Sequence, residues 1–68
     1  MSEFSATVRD QIAERLTALS AARAAGHDYE VHLHGARVRD LLDLAVRNDV
    51  DVTGWVDPAV LDAATLDG

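Results

Sequence analysis

At 68 residues with no cysteine, the chain has room for one small domain, and both disulfide staples and thiolate chemistry are excluded. Twelve acidic residues against six basic ones, all arginine, give a formal charge of −6, a field that repels nucleic-acid phosphates and anionic lipid. Hydrophobic residues make up 49% of a chain this short, and a domain of that size buries only about 60% of its unfolded surface, so association is the expected route to a larger core.

The start, MSEFSATVRDQ, lacks a cationic leader and a long apolar run, and no apolar span of membrane length follows, so a cytoplasmic location is expected. Ser2 or Ser5 can cap a first helix, with Glu3 near the positive end of its dipole. Phe4, Val8, Ile12, Leu16 and Leu19 then recur at helical spacing, and Gly26 is placed to end the helix in a left-handed turn. The spacing predicts a helix over residues 4–25.

From Tyr29 the period changes to two. Tyr29, Val31 and Leu33 alternate with Glu30, His32 and His34 before Gly35, which predicts a half-buried strand over residues 29–34. A strand needs a partner for its backbone groups, here either a second strand over residues 50–53 or the same strand of another copy. Val38, Leu41, Leu42, Ala45 and Val46 return to helical spacing and predict an amphipathic helix over residues 36–48. After a turn at Asn48 and Asp49 and another at Thr53 and Gly54, Trp55 and Val56 add apolar bulk. Asp57 and Pro58 are a capping residue and a first-turn proline, and Val60, Leu61 and Ala64, extended by Leu66, mark a third helix over residues 58–65. The expected class is mainly α with minor β: three helices and one or two short strands in one domain, expected to be dimeric.

Candidate chemistry is sparse. His32 and His34 would share one face of a strand, a geometry in which two imidazoles can hold a metal ion or stand as polar residues facing water. Asp49, Asp51, Thr53, Gly54, Val56 and Asp57 resemble the first nine positions of the calcium loop of EF-hand and dockerin-type proteins. Val60 stands where that loop carries its bidentate carboxylate. No cofactor is expected; metal binding is left open, with His32, His34, Asp49 and Asp51 as candidates and His27 and Asp28 just upstream of the first pair.

The strand YEVHLH, the helix ARVRDLLDLAVRN, the link around Val50 and the segment led by Thr53, Trp55 and Val56 occur in the order found in ribbon-helix-helix proteins. Residues 29–61 thus resemble that fold of small dimeric transcription regulators and antitoxins. The resemblance implies that Glu30, His32 and His34 face the major groove, although the family uses basic or amide side chains there, and Pro58 falls inside its second helix.

The carboxylate pairs Asp10 with Glu14 and Asp40 with Asp43 lie at helical spacing on polar faces, and Ser2, Ser5 and Ser20 suit capping and packing better than nucleophilic attack. An enzyme is therefore not expected. The leading expectation is a small acidic protein-binding or regulatory module, acting as a homodimer or adaptor subunit, with Trp55, Val56, Leu16, Leu19 and Tyr29 as interaction candidates. A ribbon-helix-helix DNA-binding regulator or antitoxin-type protein is the alternative, although the charge disfavours nucleic acid. No membrane partner is expected.

Overall fold

The structure is a computed structural model that describes residues 3–63, with side chains described as far as residue 61. The chain forms three helices: α1 (Glu3–Ala24), α2 (Asp28–Arg47) and the short α3 (Pro58–Ala63). The three residues between α1 and α2 leave only enough chain for a reversal, so the two long helices pack as an antiparallel hairpin. Segment 48–57 returns along the hairpin and delivers α3 onto it.

Both long helices end by the same closure. At the end of α1, the His27 amide donates to the Ala22 carbonyl (2.9 Å) and the Gly26 amide to that of Arg23 (3.1 Å), with Gly26 at φ +74°. These are the crossed bonds of a Schellman turn, and glycine supplies the left-handed residue at no steric cost. At the end of α2, the Val50 amide donates to Ala45 and the Asp49 amide to Val46, both at 3.0 Å. The Asn48 side-chain amide also donates to the Leu44 carbonyl at 2.8 Å. Here the left-handed position is held by Asp49, at φ +62°, where a Cβ is unfavourable by about 1 kcal/mol. Asp49→Gly is accordingly expected to raise stability by about 0.5–1 kcal/mol, read as a higher denaturant midpoint at unchanged slope; an unchanged or lower midpoint would contradict this account of the turn.

The strand expected over residues 29–34 is corrected to helix, so α2 begins eight residues before the expected helix at 36. The physical reason lies in where Val31 goes. On a helix it falls on the same face as Gly35, Val38, Leu41 and Ala45, all buried, whereas a strand would have needed a pairing partner. A helix satisfies its own backbone, and the Val31 amide already bonds the His27 carbonyl at 3.0 Å. Residues 50–53 are likewise not a strand. Val50 and Val52 both pack on the core, and the Trp55 amide closes a turn onto the Val52 carbonyl at 3.0 Å. Among the described residues there is no strand, so the expected minor β component is withdrawn.

Two clusters fill the interior. Val8, Ile12, Val38, Leu41 and Ala45 form the larger, covered by Leu16, Leu42, Val50, Val52, Trp55, Val56 and Leu61. Leu19, Ala22 and Val31 form the smaller near the hairpin tip, with Val60 of α3 against it. The expected apolar stripe of α1 is the face that packs, and its first member, Phe4, stays 38% exposed. Asp57 caps α3 through its Oδ1, which accepts the Ala59 amide at 2.9 Å, and Arg39 Nη2 donates to the Leu61 carbonyl at 2.7 Å. Ser2, Ala64, Leu66 and the end of the third predicted helix lie outside the described residues.

Candidate functional site

An α-helix turns 100° per residue, so α2 can present two apolar stripes on opposite sides. Its inner stripe packs on α1. Its outer side carries Tyr29, Leu33 and Leu44, which remain 67%, 47% and 43% exposed, and Val46, on the flank, is 56% exposed. Two leucines and a tyrosine exposed on one side of a helix are the feature that composition alone did not locate. Between Leu33 and Leu44, at intervals of four, three and four residues, stand Arg37 and Asp40, both exposed. Neither forms an ion pair among the described residues. The ends of the same side carry Glu30, bridged to His27 at 2.8 Å, and Arg47, bridged to Asp43 at 3.0 Å.

The expected interaction residues are dispersed. Leu19 is 1% exposed and unavailable to a partner while the hairpin is intact. Leu16, Trp55 and Val56 are partly buried against the larger cluster. The Arg9 guanidinium lies 5.5 Å from the Trp55 ring centroid, within cation–π range. Tyr29 is open to solvent on the outer side of α2. Leu33, Arg37, Asp40 and Leu44 were missed as a set. Their seven-residue spacing is present in the sequence, but reading Leu33 as a strand residue severed it from Leu44.

The metal candidates change meaning with the fold. His32 and His34, two residues apart on a helix, point about 200° apart rather than to one side. His34 Nδ1 lies 3.4 Å from Arg15 Nη1, while His32 Nδ1 is buried without a hydrogen-bond partner. Among the described residues, no group of three His, Asp or Glu side chains is arranged to hold a metal ion. The ribbon-helix-helix resemblance loses the element that carried it, since Glu30, His32 and His34 belong to a helix and not to a groove-reading ribbon.

In the segment likened to a calcium loop, Asp51 Oδ1 accepts the Thr53 amide at 2.9 Å. The Thr53 hydroxyl first, and that amide second, hold the Asp51 carboxyl below its ordinary range. Such a lowered group adds stability above its unfolded pKa and loses it as pH falls through the lower folded value. Thr53→Ala is expected to move the Asp51 carboxyl titration, followed by NMR, back up towards the ordinary aspartate value. An unmoved titration would show that the hydroxyl is not the main cause.

A groove of about 360 Å³ runs between α1 and α2, lined by Gln11, Glu14, Arg15, Arg37 and Leu41. Asp10, Glu14, Asp40 and Asp43 are all exposed, and their helices do not gather them into one enclosed site. No described helix is long and apolar enough to cross a membrane. In comparison with known protein families, curated proteins and solved structures, the chain matches none.

Proposed function

We propose that the chain is a small, acidic, non-enzymatic interaction module that works by binding protein, as a homodimer or as an adaptor or regulatory subunit. The observation that carries this reading is the outer side of α2. Leu33 and Leu44 are 47% and 43% exposed there, off the buried stripe, and neither belongs to the two clusters that fill the hairpin. Burying a leucine side chain fully is worth about 1.5–3 kcal/mol, an incentive for a second surface to cover this face. The formal charge of −6 favours a protein partner over nucleic acid.

Crosslinking of the tagged chain in its source cells tests the reading, with Leu33→Ser/Leu44→Ser as the control. Wild type is expected in a covalent species larger than the free chain, and the variant as free chain with an unchanged helical spectrum. Recovery of wild type as free chain only, or equal crosslinking of a folded variant, would refute it.

A further inference from the structure

We infer that the outer side of α2 pairs with the same side of a second copy, antiparallel, about a two-fold axis that passes between Val38 and Arg39. This rests on the interaction-module reading and names its partner surface.

The warrant is a pattern. Glu30, Leu33, Arg37, Asp40, Leu44 and Arg47 succeed one another at intervals of three, four, three, four and three residues, and all six are exposed. This alternation of three and four keeps the six on one side along the helix, two leucines among four charges. In an antiparallel pair with the stated axis, each layer joins residues equidistant from it. Leu33 meets Leu44 of the second copy, Arg37 meets Asp40, and Glu30 meets Arg47, and each contact occurs twice by symmetry. All six layers are complementary. In a parallel pair each residue would meet itself, so the four charged layers would set like against like, which is unfavourable by several kcal/mol.

The central layers support the same arrangement from the charges themselves. Arg37 and Asp40 sit between the two leucines and form no ion pair among the described residues, Arg37 standing at the edge of the stripe where it also lines the groove that holds Glu14 and Arg15. They are adjacent in the stripe, and each is supplied with a counter-charge by the second copy. The bonds of Glu30 to His27 and of Arg47 to Asp43 are exposed at both partners, so they hold their side chains only weakly. A guanidinium with five donors can keep Asp43 and reach a second carboxylate. The six layers span about 26 Å of helix. One helix face per copy lies at the small end of protein interfaces, so association is to be sought from about 10 µM to about 1 mM.

Charge exchange tests the pairing by analytical ultracentrifugation at low to moderate ionic strength, where exposed charge pairs are not screened out. R37D alone sets two acidic pairs at the centre, and D40R alone sets two basic pairs. Each is expected to weaken self-association by at least about tenfold. An equimolar mixture of the two single variants restores both opposite-charge pairs, as does the double variant R37D/D40R within one chain. Both are expected to recover to within about threefold of wild type. Because both positions are exposed, the helical spectrum should not change.

The absence of native cysteine allows a geometric check. L33C/L44C is expected to oxidise to a disulfide-linked dimer, while L33C alone is not, because its two copies would lie about 16 Å apart. The inference is overturned if the wild type remains monomeric at about 1 mM. It is equally overturned if it dimerises but ignores the charge exchange, if the mixture fails to recover, or if L33C alone crosslinks. Monomeric protein throughout would remove this pairing and leave the outer side of α2 to a different protein, which the cellular crosslinking reads separately. A dimer insensitive to the exchange would remove the surface and keep self-association.

Discussion

Ile12→Ala is expected to lower stability by about 2–5 kcal/mol. The side chain is 2% exposed and belongs to the cluster joining both long helices. Its truncation forfeits the transfer energy of three carbons and leaves a cavity that two rigid helices close only in part. A chain of this size has about 3–10 kcal/mol to lose in all, so one substitution of this kind removes a large fraction. Denaturant unfolding followed by circular dichroism measures it. The contrast that makes the result specific is Leu33→Ala, expected to cost no more than about 1 kcal/mol because Leu33 is 47% exposed in the single copy. If the two variants lost equal stability, the division of α2 into an inner and an outer side would be wrong.

The second large effect concerns Trp55→Ala, expected at about 2–4 kcal/mol. The ring is partly buried against the larger cluster together with Val50, Val52 and Val56, and it carries much of the apolar area that segment 48–57 brings to the hairpin. Arg9, 5.5 Å from the ring centroid, adds about 0.5–1 kcal/mol of cation–π attraction at a partly exposed site. The two contributions separate in a series. Trp55→Phe should retain most of the packing, and Arg9→Gln should lose only the smaller share. Intrinsic fluorescence in the folded protein should be quenched less strongly by iodide than in the unfolded chain. A Trp55→Ala protein as stable as wild type would place the ring outside the core and return it to the surface as an interface candidate.

Much of the hairpin was legible in the letters. The stripe of α1 and the turn at Gly26 stand where helical spacing and glycine's freedom at positive φ place them. The cap formed by Asp57 over the Pro58 turn follows equally directly from residue chemistry. The first eight residues of α2 misled because the helix is apolar on two sides. Tyr29 and Leu33 belong to the outer side and Val31 to the inner one. Residues two apart on a helix are separated by about 200°, so Tyr29, Val31 and Leu33 fall alternately on the two apolar sides, and the apolar residue at every second position copies the pattern of a one-sided strand. Two apolar faces on one helix and one apolar face on a strand write the same six letters, and only the buried partners of Val31, Leu19 and Ala22 decide between them.

The same confusion concealed the outer stripe. Once Leu33 is helical, its distance to Leu44 is three turns, and the charges between them fall into register. Asp49 was harder to foresee, since aspartate in a left-handed position is uncommon and the turn could be drawn with Asn48 there instead. The exposure of Tyr29 and the burial of Leu19 depend on the angle at which the helices meet, which spacing along one chain does not determine.

The short link at Gly26 also bears on how the molecule assembles in time. Ala22 and Val31 of the tip cluster are separated by about nine residues of chain, whereas Val8 and Ala45 of the larger cluster are separated by about 37. Closing the smaller loop is cheaper in chain entropy by about 1.2 kcal/mol. Contacts at the tip can therefore form before those at the open end, and the helices zip towards their far termini. Most of the interior thus belongs to one local hairpin, a topology of low contact order, and such topologies fold in microseconds to milliseconds.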